Sequence, residues 1–222
     1  PVLRPLDTIE NADALVVEHL DREDWTEKEW PEADVIVGNP PFLGGKEFLG
    51  VFGERYVSKL RSVYDDRVPG FADLVVYWFE KARVALSGAC NAFGLVATNS
   101  IRHGRSNQVL QKISNELRIF AARSDEAWTV EGAAVRVSLI CVDRACWGTE
   151  VSLNGETGLA RISADLSSSS STTPSHSTAS KLPENRAVAF VGGQKDGPFD
   201  LAGDKARALL QLPTNPNGMR NE

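Results

Sequence analysis

Asn39-Pro40-Pro41-Phe42 combines four residues that suit one chemical task. An amine conjugated to an aromatic ring is a poor nucleophile, because its lone pair is delocalised into the ring. A protein that alkylates such an amine must draw both N–H hydrogens onto acceptors and hold the nitrogen in line with the donor. The Asn39 side-chain oxygen offers one acceptor and the Pro40 carbonyl the other, and the paired prolines limit φ and so fix where that carbonyl points. Phe42 adds an aromatic face on which a base turned out of a duplex can stack. Taken alone, Asn-Pro-Pro is also an ordinary turn sequence. Its position argues for more, since it comes immediately after the apolar run of Asp34–Val37, which reads as a buried strand, and open α/β sheets bind ligands outside the carboxyl ends of their strands. Gly44-Gly45 then allows close approach or movement of the loop.

The elements that must hold this loop read as an α/β domain. Short β-branched runs at Ala14–Val17, Asp34–Val37, Phe93–Thr98, Ile119–Arg123 and Ala134–Val142 alternate with helical stretches, which predicts a Rossmann-like, mostly parallel sheet. The clearest helix is Ala72–Leu86, where Leu74, Val75, Trp78, Phe79, Ala82 and Leu86 recur at helical spacing. A second is predicted over Ser106–Glu116, with Ser106 as N-cap and Val109, Leu110 and Ile113 on one face. The serine- and threonine-rich run Leu166–Ser180 cannot bury enough apolar surface to offset its ordering entropy and is expected to be a flexible insert. The organisation expected is a catalytic domain over residues 1–150, a linker over 151–183 and the start of a second unit over 184–222, with a strand at Ala187–Val191 and a helix over Ala202–Leu212. Pro1 at the start and the loop-like Leu212–Gly218 near the end make both termini read as cut.

Composition excludes several classes. With 42% hydrophobic and 24% charged residues in 222, the chain is an ordinary globular one, and its apolar runs fall short of the roughly 20 residues a spanning helix needs. Cys90, Cys141 and Cys146 lack CxxC spacing, so neither a disulfide framework nor a metal site is expected; a reducing, cytoplasmic setting fits, with Cys90 and Cys141 as small buried residues. The net charge of −6 speaks against a nucleic-acid partner, but its distribution is uneven. Acid gathers in Glu18–Glu29, whereas Lys46, Arg55, Lys59, Arg61 and Arg67 follow the Asn39 loop, and Arg102, His103 and Arg105 form a second basic group; each cluster also reads as a plain solvated face.

The loop resembles motif IV of gamma-class amino-methyltransferases. The wider text is similar to the methyltransferase region of MmeI-like (type IIL) restriction-modification enzymes. The residues carrying this are Ile36–Lys46, Ala72–Val75, Phe79–Ala82, Gly94–Ile101, Trp128 and Gly132–Ser138, with Gly197–Asp200 and Asn215–Gly218 resembling the stretch that leads into a target-recognition domain. The resemblance implies transfer of a methyl group from S-adenosylmethionine to adenine N6 in double-stranded DNA, with a restriction nuclease, fused or associated, as a further partner. It implies that Asn39, Pro40 and Phe42 bind the adenine, that Pro41 shapes the loop, and that Asp13 lies near the cofactor's adenine, although Asp13 by itself also reads as a loop or capping residue. Asn99 and Ser100, after the Phe93–Thr98 strand, are candidates to line the same cleft together with Lys46; a helix-capping role fits them equally.

The sequence also departs from that pattern. No Phe-x-Gly-x-Gly cofactor loop precedes Asp13, so the main cofactor-binding strand is expected upstream, and the chain alone is expected to bind cofactor poorly. Other readings are cytosine-N4 methylation, which goes more often with Ser-Pro-Pro, protein glutamine methylation, which uses Asn-Pro-Pro-Tyr, and an inactive remnant that only binds DNA. No cysteine sits beside the Asn39 loop, so direct transfer without a covalent enzyme intermediate is expected.

Overall fold

A computed structural model describes residues 9–21, 24–86, 88, 90–130, 133–144, 150–168 and 202–211. The chain divides into two compact units, Pro1–Ala179 and Ser180–Glu222. The described part of the second is a helix, α4 (Gly203–Leu210), inside the span where the sequence predicts one. The strand expected at Ala187–Val191 lies outside the described residues, as do Cys146, Gly197–Asp200 and Asn215–Gly218.

The first unit begins with an antiparallel hairpin, β1 (Val16–His19) and β2 (Asp24–Glu27), in which Val16 faces Glu27. There follow β3 (Val35–Gly38), α1 (Phe48–Val63), α2 (Val75–Ala85) and β4 (Ala92–Thr98). A 3-10 turn, Asn99–Arg102, leads to α3 (Asn107–Glu116), then β5 (Arg118–Val130), β6 (Ala133–Asp143), β7 (Val151–Leu153) and β8 (Glu156–Leu159). The last six strands form one sheet in the order β3-β4-β6-β5-β7-β8. The α/β class is the expected one, and β3, β4, β5 and β7 all run in one direction. Parallel hydrogen bonding is confined to β3–β4 and β5–β7, because β6 runs against its neighbours and separates β4 from β5. β3 and β4 are parallel neighbours, so the chain must cross over between them, and α1 and α2 make that crossing.

The described ends of β3 differ from the sequence reading. Val37 is 82% exposed and Val35 45%, so β3 is an edge strand with an open apolar face and not a buried one. β-branched runs form fully buried and edge strands alike, and only the number of neighbours distinguishes the two. The centre of the sheet is where burial is complete: Phe93, Leu95 and Ala97 of β4 and Val137, Ile140 and Val142 of β6 are all at most 2% exposed.

Helix α2 packs on nearly every side, with Val75, Val76, Tyr77, Phe79 and Ala82 buried. Its two buried charged residues are paired. Glu80 accepts two hydrogen bonds from Arg83 (2.8 and 2.9 Å), and Lys81 reaches Glu27 at 3.2 Å while lying over the Trp30 ring. Helix α1, which the sequence did not reveal, is kinked at Gly53 (φ 76°), and Gly50 and Gly53 together blur its period. Its Phe48, Val57 and Leu60 enter the core, where Phe48 meets Tyr77. α3 begins where expected, but the Ser106 side chain does not cap it. Its hydroxyl accepts the Asp73 N–H at 3.2 Å instead.

The boundary expected at residue 150 falls inside this unit. Asn154-Gly155, with φ of 54° and 91°, is a tight two-residue turn that folds β8 back on β7, and Val151, Leu153, Ile162, Ala164 and Leu166 join the core. Short strands of three and four residues carry too little periodicity to stand out from a following serine-rich run. Cys90 is buried as expected, whereas Cys141 is only partly so. Among the described residues no helix is long and apolar enough to cross a membrane.

Candidate functional site

Because β3 and β4 are parallel and adjacent, with Gly38 opposite Leu95, the loop after β3 and the turn after β4 leave the sheet at the same end. Asn39 therefore emerges at a strand's carboxyl end, exposed, and among the described residues its amide has no hydrogen-bond partner. Pro40 is buried and Phe42 half-buried, so the middle of the tetrapeptide is anchored while the amide is presented. Leu43 packs against the core and its carbonyl accepts the Leu74 N–H at 2.9 Å.

Asp73 ties this end of the sheet together. One of its carboxylate oxygens accepts the Gly45 N–H at 3.3 Å, the other accepts the Ser100 hydroxyl, and its own N–H donates to Ser106. Loop and turn are thus joined through the Asp73 carboxylate, and the start of α3 through its backbone N–H. Asp73 lies in the Ala72–Val75 stretch that carries the resemblance, and nothing in its local sequence points to this role. Gly45 lies so close to the next segment that a Cβ there would stand 2.3 Å from the Phe71 carbonyl oxygen. Lys46, Phe71, Asp73, Ser100, His103 and Arg105 line a cleft of about 530 Å³ beside the loop.

The expected residues do not all converge. Ser100 and Lys46 share the cleft, but Asn99 turns into a different network. Its amide nitrogen donates to Asp125 at 3.0 Å, and its oxygen accepts from Arg102 at 3.3 Å and from Ser138 at 3.5 Å. Asp125 is held in turn by Arg136 at 2.7 Å, and this bond keeps its carboxyl below the usual range. Asn99 is a strut between the turn and the β5–β6 hairpin.

Asp13 stands at the β1 hairpin. Its Oδ1 accepts the N–H groups of Leu15 (2.7 Å) and Val16 (3.1 Å), and its Oδ2 accepts the Tyr56 hydroxyl at 2.7 Å. Burial first, and then this bond, push the Tyr56 phenol far above its ordinary range, so Tyr56 remains a donor to Asp13 at neutral pH. A carboxylate offers about four acceptor positions. Three of Asp13's are filled, which leaves room for one further hydroxyl or amine of a nucleoside. Asp13 therefore fits as one contact to such a ligand and cannot grip it alone.

A mixed α/β sheet that holds an Asn-Pro-Pro-Phe loop at the carboxyl end of one strand, with a cleft beside it, has the build of a methyltransferase catalytic domain. The family described as "MmeI, DNA-methyltransferase domain" matches residues 2–151, and the chain belongs to that family. Among solved structures, one of the type IIL restriction-modification enzyme MmeI in complex with DNA is 26% identical over 60% of this chain and 19% of that one, with a TM-score of 0.48. A modification subunit of a putative type I restriction enzyme from Vibrio vulnificus YJ016 is 18% identical over 50% of this chain and 23% of that one, with a TM-score of 0.36. A type I restriction-modification system is 15% identical over 59% and 26%, with a TM-score of 0.35. The chain thus spans about a fifth of the length of the MmeI structure. No match was found among curated proteins.

Proposed function

We propose that this chain carries the target-base half of a restriction-modification DNA methyltransferase, which transfers a methyl group from S-adenosylmethionine to adenine N6. The single observation that carries the reading is the Asn39 amide, unpartnered among the described residues and exposed at the end of β3 beside an anchored Pro40. In this reading the Asn39 oxygen and the Pro40 carbonyl accept hydrogen bonds from the two amine hydrogens, which localises the lone pair on nitrogen, and the proton displaced by the methyl group leaves to solvent. Phe42 stacks on the extruded base, and Pro41 keeps the loop in shape. S-adenosylmethionine supplies an electrophilic methyl group, and Asp13 contributes one hydrogen-bond acceptor toward its nucleoside. Ser100 and Lys46 line the cleft next to the base, and Asp73 positions the loop. Residues beyond the catalytic unit, over 184–222, begin the part that selects the DNA site.

The test is to map N6-methyladenine in DNA from cells that express the full-length gene with an intact or an Asn39→Ala loop. Loss of the mark with DNA affinity retained is the expected result. Near-normal methylation by the variant would overturn the mechanism, and a mark at cytosine N4 would overturn the choice of base.

A further inference from the structure

Phe71 is an unusual residue to find on a surface. It is 56% exposed and its backbone lies in the left-handed region at φ 64°, which is strained for any residue with a β-carbon and a bulky ring. Two guanidinium groups lie against that ring, Arg61 at 4.6 Å and Arg105 at 5.5 Å from its centre. The Arg105 guanidinium is further fixed by a 2.9 Å hydrogen bond to the Gly70 carbonyl. Lys46 and His103 line the same cleft as Phe71 and Arg105. Among the described residues none of these four basic side chains forms an ion pair, and Arg61 Nε is buried without a hydrogen-bond partner. Among the described residues the one carboxylate that lines the cleft, Asp73, is already committed to the Gly45 N–H and the Ser100 hydroxyl. The two guanidinium groups gathered on this ring, with Lys46 nearby, repel one another, and an anion held between them would offset that repulsion.

We propose that Phe71, Arg61 and Arg105, with Lys46 and His103, form a clamp for a backbone phosphate of the DNA next to the extruded base. The inference rests on the DNA-methyltransferase reading above and adds to it the residues that hold the strand. Phe71 fixes the direction of the two guanidinium groups by cation–π contact, and the arginines supply planar donors that match a phosphodiester. The clamp lies on the segment against which Gly45 packs, so a phosphate held there fixes the strand relative to the Asn39 loop. Such contacts set position and register and carry no sequence information.

The test uses the full-length protein and a fluorescein-labelled duplex of mixed sequence, because phosphate contacts do not depend on sequence. Binding is measured by anisotropy over a series of salt concentrations. Arg105→Gln should weaken binding about tenfold at low salt and make the slope of log K against log salt less negative by about 0.9, the value for one lost phosphate contact. Lys46→Gln, on an exposed loop residue, should act in the same direction. Phe71→Gly keeps the charges and suits the left-handed backbone, so it should weaken binding while leaving the slope unchanged. If Arg105→Gln and Lys46→Gln bind with wild-type affinity and slope while the wild type methylates DNA, the clamp is wrong and the enzymatic reading stands. If the wild type neither binds nor methylates DNA, both fall.

Discussion

Gly45→Ala tests whether the Asn39 loop works by position. A Cβ at residue 45 would meet the Phe71 carbonyl oxygen at 2.3 Å, the Phe71 carbonyl carbon at 2.5 Å and the Ala72 oxygen at 2.6 Å. All three are backbone atoms and cannot swing aside as a side-chain tip would. An unstrained carbon-to-oxygen contact needs about 3.3 Å, so the two segments must part by about 1 Å. The Asp73–Gly45 hydrogen bond, already 3.3 Å long, would be broken by that movement, and the Leu43–Leu74 hydrogen bond beside it would be stretched. Overpacking of this kind costs about 1–3 kcal/mol of stability. The larger effect falls on turnover, since a misplacement of about 1 Å at a catalytic group costs roughly a hundredfold in rate. The assay is methyl transfer by the full-length variant at saturating DNA, paired with a thermal melt. Gly44→Ala is the control, because a Cβ there meets only side-chain atoms at ordinary contact distance, Glu47 at 3.6 Å and Asp73 at 4.0 Å. If Gly45→Ala turns over at the wild-type rate while Gly44→Ala is equally unaffected, the loop does not depend on its seat against Phe71–Ala72 and the positional argument fails.

Two further outcomes concern stability. Asp143 is fully buried and accepts a 2.9 Å hydrogen bond from Arg118 Nε, so Asp143→Ala should cost about 3 kcal/mol, read as a lower denaturant midpoint; an unchanged midpoint would show that the pair is dispensable. The phenols of Tyr56, Tyr64 and Tyr77 are all pushed up, in each case first by burial. The folded protein therefore keeps these protons after the unfolded chain begins to release them near pH ~10, and the stability they contribute is complete below that pH and lost above it. The Lys81 ammonium, lowered by burial, works in the opposite sense as one group against three. Urea midpoints should hold steady through neutral pH and fall above about 10; a midpoint that rises there would reverse the assignment.

Much of the fold was legible because local sequence carries it. The helices α2 and α3 and the strands β3, β4 and β6 lie within a few residues of their predicted spans, since each has its own apolar period. Helix α1 was not legible, because Gly50 and the kink at Gly53 interrupt its period and its buried face is set by Tyr77, far along the chain. The candidate site divides in the same way. The Asn39 loop was readable from its residue types, whereas Asp73 gains its role only by meeting Gly45 and Ser100, 28 and 27 residues away.

By itself the sequence determined the chemistry that the Asn39–Phe42 loop offers and the strand it follows, because prolines, an amide and an aromatic ring act through their own covalent geometry. Tertiary structure alone decided which neighbours that chemistry has. It put β6 between β4 and β5, drew Asn99 into the Asp125 network, left Val37 on an open edge and gathered Arg61 and Arg105 on Phe71. Each of those outcomes depends on which segments of the chain meet and which are left without a neighbour, fixed by packing and pairing that no local run of sequence encodes.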